Sequence, residues 1–77
     1  MRVQYDREVD AAYVYFNDKI KAGEVKQTIT LNENFILDLD KDGKLLGLEV
    51  LNAAENLAKQ TIKELRTNNK KPTTQAI

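Results

Sequence analysis

A chain of 77 residues with 12 basic and 12 acidic side chains can form one domain and no more, and its net charge of zero gives no overall bias toward nucleic acid. It has no Cys, no His and no Ser, which excludes disulfides, leaves zinc without its usual ligands and rules out any nucleophile-plus-imidazole arrangement. A domain of this size buries only about 60% of its unfolded surface, so self-association is the expected supplement to its core, with a bound hard cation as the minor option.

In chain order, residues 2–5 predict a short strand. Asp6 then opens an Asp-Arg-Glu-Val-Asp turn, where its carboxylate can accept from the backbone N–H groups of residues 8 and 9 within a single helical turn. Residues 12–17 predict a second strand, with Tyr13 and Tyr15 on one face and Val14 and Phe16 on the other. Residues 18–23 connect it to a third, at 24–31, in which Val25, Gln27, Ile29 and Leu31 alternate with Lys26, Thr28 and Thr30. Asn32-Glu33-Asn34 then turn the chain into the strand that begins at Phe35.

Asp42-Gly43 between two apolar runs is a strong hairpin signal and predicts a two-residue type I′ turn. With Lys41 facing Lys44, Leu39 pairs with Leu46, Leu37 with Leu48 and Phe35 with Val50, which sets six apolar side chains on one face. The other face carries Ile36, Asp38, Asp40, Leu45, Gly47, Glu49 and Leu51. Asn52-Ala53-Ala54-Glu55 has the form of a capping box and starts a helix whose apolar stripe is Ala54, Leu57, Ala58, Ile62 and Leu65. Asn68-Asn69 punctuate that helix, so the expected organisation is a single α+β domain over residues 1–67 and a flexible tail over 68–77. The fold expected is an antiparallel β-meander of about five strands with the C-terminal helix packed on one face. The second face and the open sheet edges need a cover, which a twofold homodimer would provide. With neither a signal peptide nor a long apolar run in the sequence, the expectation is a soluble cytoplasmic protein with no membrane contact.

The chain is expected not to be an enzyme and to need no cofactor. Asp6 with Asp10, or Asp38 with Asp40, pose as carboxylate pairs, but turn capping and an exposed strand face account for them. The sharper motif is Asp38-x-Asp40-x-Asp42-Gly43-x5-Glu49, which satisfies the spacing of an EF-hand calcium loop. Its setting argues against that reading, because an EF-hand needs a helix on each side and both flanks here are strand-like. A weak, opportunistic calcium site at the turn is what remains of it. Charge is unevenly placed: residues 1–52 carry 7 basic and 10 acidic side chains, and residues 53–77 carry 5 and 2. Lys59, Lys63, Arg66, Lys70 and Lys71 are therefore the candidate contacts for an acidic partner or nucleic acid, although a solvated helix face with cations near its C-terminus explains them too. No aromatic cluster accompanies them, which weighs against nucleic acid.

Two stretches resemble the short prokaryotic proteins grouped as domain of unknown function 2283. Residues 5–16 are similar to that family's Tyr-Asp, acidic turn, Asp-Ala and aromatic strand, and residues 37–53 to its Asp-x-Asp, glycine turn and Gly-Ile-Glu-Ile-Leu-Asn-Ala ending. The resemblance covers about residues 1–57 and implies a compact α+β domain, with no catalytic residues to carry over. By association it also implies an antitoxin-like role beside a toxin-like protein partner. The helix and tail after Leu57 are where the chain departs from the family pattern.

Overall fold

A computed structural model of the chain describes residues 1–68 and 73–74. The alternating segments form strands β1 (Arg2–Asp6), β2 (Ala11–Tyr15), β3 (Gln27–Thr30), β4 (Phe35–Leu39) and β5 (Leu45–Leu51), followed by helices α1 (Ala53–Asn56) and α2 (Lys59–Asn68) and a two-residue strand β6 (Thr73–Thr74). Of the segment assigned to a tail, Asn68 ends α2 and Thr73–Thr74 pair with Arg2 and Val3; the remainder lies outside the described residues.

The α+β class and the antiparallel sheet are as expected, but the strand order is β3-β4-β5-β2-β1-β6, so a single sequential meander is not what forms. β1–β2 and β3–β4–β5 are each sequential because their turns are too short for anything else. The connection over residues 16–26 is longer than the turns within either group and is free to cross the sheet end. It sets β5, seven residues of mostly apolar sequence, in the middle between β2 and β4.

The hairpin signal at Asp42-Gly43 holds, and away from the turn the register is the one expected, with Phe35 opposite Val50 and Leu37 opposite Leu48. The turn itself is not type I′. Only Gly43 has positive φ, at 77°, and bonds from Gly43 N–H to Asp40 O (3.0 Å) and from Asp40 N–H to Lys44 O (2.9 Å) close a three-residue loop with glycine in the left-handed position. Asp40 selects this loop. Its Oδ1 accepts from the N–H groups of Asp42 (2.8 Å) and Lys44 (2.9 Å). The extra loop residue moves the pairing at the tip, so Leu39 meets Leu45 instead of Leu46 and β5 carries a bulge.

Val3, Tyr5, Ala12 and Val50 on one sheet face pack against Ala53, Ile62 and Leu65, with Val14, Phe35, Leu48 and Leu57 at the margin. The expected single helix with Asn52 as its side-chain cap is corrected in both respects. Asn52 is left-handed (φ 52°, ψ 51°) and makes no side-chain cap bond. The cap comes instead from the β1–β2 turn: Asp10 O accepts from Ala53 N–H (2.9 Å), and both Asp10 carboxylate oxygens lie 3.2 Å from Ala54 N. The same carboxylate accepts from the Tyr5 hydroxyl at 2.7 Å. The helix then breaks, because Leu57 is extended (φ −111°, ψ 153°). In one continuous helix Leu57 and Ile62 would lie about 140° apart around the axis, and only a break lets both face the sheet. The same break exposes Ala54 and Ala58 and makes Ala53 the buried residue, at 0% exposure.

Asp10→Ala removes a cap, a tyrosine partner and a residue suited to its left-handed φ of 54°, and should lower unfolding free energy by about 2 kcal/mol in urea titration. Asn52→Gly should change it by less than about 0.5 kcal/mol, since glycine adopts the left-handed conformation freely. A larger loss at Asn52 than at Asp10 would restore the capping-box assignment.

Candidate functional site

Strand register places Arg2, Gln4, Tyr13, Tyr15, Glu49 and Asp38 on the sheet face turned away from the helices. Tyr13 on β2 donates to Asp38 Oδ2 on β4 at 2.5 Å, reaching across the whole width of β5. It passes over Gly47, where any Cβ would overlap the Tyr13 ring and hydroxyl, so the glycine is required by a close approach and not by a turn. Thr28 on β3 donates to the other oxygen, Asp38 Oδ1, at 2.9 Å. One carboxylate thus ties together strands β2, β3 and β4.

Tyr15 packs edge-on against Tyr13 with ring centroids 4.6 Å apart, donates to Gln4 Oε1 at 3.1 Å and carries the Arg2 guanidinium over its face at 3.8 Å. The buried Arg2 Nε has no hydrogen-bond partner, so the tyrosine face is the group that accommodates this cation. Burial pushes the Tyr13 phenol well above its ordinary value of 10.0, and its bond to the Asp38 carboxylate raises it further. Burial also raises Tyr5, as does its bond to Asp10, while Arg66 on α2 opposes the shift. Both phenols are thereby held neutral, as hydrogen-bond donors and poor bases. Beside this network is an open depression of about 250 Å³ whose lining includes Gln4, Asp6, Tyr13 and Glu49.

The carboxylates singled out in the sequence are distributed among separate tasks. Asp6 Oδ1 accepts from Glu8 N–H at 3.0 Å, as expected of a turn residue, and Asp10 caps α1. Of the calcium spacing, Asp38 is engaged by Tyr13 and Thr28, Asp40 closes its own loop, Asp42 is exposed at the tip, and Glu49 lies opposite Ile36 and Tyr13 along the strand. Among the described residues no three such side chains come together as a ligand set. Lys59, Lys63 and Arg66 recur on one side of α2 and are exposed, although Arg66 also engages the Tyr5 hydroxyl. Lys70 and Lys71 lie outside the described residues.

The helix-side face of the sheet is only partly covered. Ile29 shares that face with Leu37 and Leu48 and is 38% exposed, and Leu31, two residues on, is 66% exposed. An apolar groove of about 230 Å³ runs between α2 and the strands, past Val14, Leu48 and Leu57. The two sheet edges differ. β1 is partly paired by β6, whereas all four residues of β3 are exposed and no described strand lies outside it. The sequence pattern points to the edges and to the face away from the helix as needing a cover, whereas the exposed Ile29 lies on the helix side, and the Tyr13–Asp38 bond is not evident from that pattern. A glycine in the middle of an apolar strand was the signal available for it. No helix among the described residues is long and apolar enough to cross a membrane.

A family model described as "Protein of unknown function (DUF2283)" matches residues 2–53, the span from β1 through β5 to the first residue of α1. No curated protein and no solved structure matches the chain.

Gly47→Ala should destabilise the protein by about 2 kcal/mol by displacing Tyr13, and by less than about 1 kcal/mol in a Tyr13→Ala background, measured as a double-mutant cycle. Equal losses in both backgrounds would contradict the contact. Because Tyr5 and Tyr13 are raised, their contribution to stability is intact below the ordinary tyrosine value and is lost as pH rises above it. The thermal midpoint should therefore be flat from about pH 7 to pH 9 and fall above about pH 10, with phenolate absorbance for these two residues appearing later than for a free tyrosine.

Proposed function

The chain belongs to DUF2283, a family of proteins of unknown function, and from that premise we propose that it is a small non-enzymatic interaction module that associates with a second copy of itself. The observation that carries this is the uncovered part of the helix-side sheet face, where Ile29 and Leu31 remain exposed at an edge strand that no described strand pairs from outside. Exposed apolar surface beside free backbone donors and acceptors is the combination that monomeric proteins ordinarily avoid. A non-catalytic role is supported by how the reactive groups are used. The two phenols with displaced pKa are displaced toward their inert form, and the carboxylates nearest them hold strands and a helix start in place. Such a module is proposed to act in the cytoplasm.

A second reading, partner binding of antitoxin type or contact with nucleic acid, is supported by the basic side of α2, where Lys59, Lys63 and Arg66 follow one another outside the region matched by the family model. It is the weaker of the two. Arg66 is partly engaged by Tyr5, and Glu64 lies in the same helix.

Sedimentation equilibrium separates the readings. Self-association through apolar contacts and backbone pairing predicts an apparent mass that climbs from monomer toward dimer through the micromolar range and changes little with salt. A strictly monomeric chain at high micromolar concentration contradicts it. Nucleic-acid contact would appear as binding that weakens steeply with added salt and is lost when Lys59 and Lys63 are replaced by Ala.

A further inference from the structure

We propose that the surface of self-association is the β3 edge, which pairs antiparallel with β3 of a second copy about a twofold axis through Ile29; this rests on the self-association proposed above. The hydrogen-bond phase of β3 gives the geometry. Leu31 N–H bonds Phe35 O at 2.8 Å, and the register pairs Ile29 with Leu37 and Gln27 with Leu39. Hydrogen-bonded and non-hydrogen-bonded pairs alternate along an antiparallel ladder, so residues 27, 29 and 31 direct their N–H and C=O groups toward β4. Thr28 and Thr30 direct theirs outward, to the open edge.

A twofold axis normal to the sheet must pass through a residue, because paired residues have to share a face. Through Ile29, it sets Thr28 opposite the second copy's Thr30, twice over, and all four outward N–H groups and all four outward C=O groups are satisfied. An axis through Thr28 instead sets Thr30 opposite Lys26, whose N–H is already bonded to Leu39 O at 2.9 Å. Of these two axes, the one through Ile29 completes the edge. It also sets Ile29 against its own copy at the close, non-hydrogen-bonded position, with Gln27 opposite Leu31 on the same apolar face.

Two further features fit a second copy as the occupant. The edge strand Gln27-Thr28-Ile29-Thr30 contains no charge and no proline, the devices that normally protect an open edge. Lys26 precedes the strand and Glu33 sits in the turn that follows it, so antiparallel pairing brings unlike charges to each end where parallel pairing would bring like ones. Another route to self-association, the sheet face turned away from the helices against the basic side of α2, joins opposite sides of the molecule. It yields an open head-to-tail chain and not a closed dimer. A four-residue edge with its apolar neighbours is smaller than a standard interface, so the dimer is expected to be weak and concentration-dependent.

Two variants test the assignment. The chain has no cysteine, so Ile29→Cys introduces a single thiol, and the twofold pairing sets the two thiols at a separation suited to a disulfide. Under mild oxidation it should form a covalent dimer many-fold faster than Lys41→Cys, whose exposed site at the hairpin tip meets its copy only by collision. Thr30→Pro removes an outward N–H while leaving the β3–β4 ladder intact, and should hold the chain monomeric at concentrations where the native chain dimerises, with an unchanged far-ultraviolet circular dichroism spectrum. Equal cross-linking rates overturn the edge assignment, as does a Thr30→Pro chain that dimerises like the native one. If the native chain still associates in those cases, self-association stands and only its surface is wrong; a native chain that stays monomeric removes both.

Discussion

Two short helices cannot cover the five longer strands of the sheet, and most of the molecule's organisation follows from that mismatch. Five strands are roughly 20 Å across, whereas a helix with its side chains is about 10 Å wide. The ten residues of α2 bring Ile62 and Leu65 onto Val3, Tyr5, Ala12 and Val50, and Ile29 on β3 lies beyond their reach. The break at Leu57 is part of the same constraint. It adds one more apolar side chain to the margin of the cover at the expense of helical continuity.

Each sheet face is therefore held in a different way. On the helix side, burial dominates, and Asp10 fixes where the helices begin by accepting from Ala53 and Ala54 across 44 residues of sequence. On the opposite side, the Asp38 carboxylate gathers donors from Tyr13 and Thr28, and the strands are braced by hydrogen bonds and stacked rings with little apolar surface to bury. The family match ends at Ala53, so the matched region contains the sheet, the brace and Asp10, but almost none of the helical cover. The part of the chain that decides how much of the sheet is left open lies beyond it.

The strands, the core face and the central hairpin were legible because alternation and an Asp-Gly turn are local signals. Phe35, Leu37, Leu48 and Val50 pair as read, and Tyr13 and Tyr15 share a face. What escaped the reading depends on contacts distant in sequence. Asn52 has the spacing of a capping residue, yet Asp10 supplies the cap, because the β1–β2 turn delivers a carboxylate to that helix end and the chain must bend through a left-handed residue to reach it. The type I′ turn gave way to a three-residue loop because Asp40 satisfies two backbone donors that a tighter turn would not present. The strand order was hidden in the connection over residues 16–26, whose sequence carries no indication of which strand it delivers β3 beside.

The calcium spacing on the same hairpin shows why a motif needs its setting: Asp38 and Asp40 stand two residues apart, but one faces a tyrosine and the other its own turn. The central claim is that the strand left open by an undersized helical cover is closed by a second copy. Amide hydrogen exchange at Thr28 and Thr30 reads that closure without any substitution. Protection of these two outward N–H groups should rise with protein concentration, while that of Ile29, already bonded within the sheet, stays constant; fast exchange at Thr28 and Thr30 at every concentration would contradict the account.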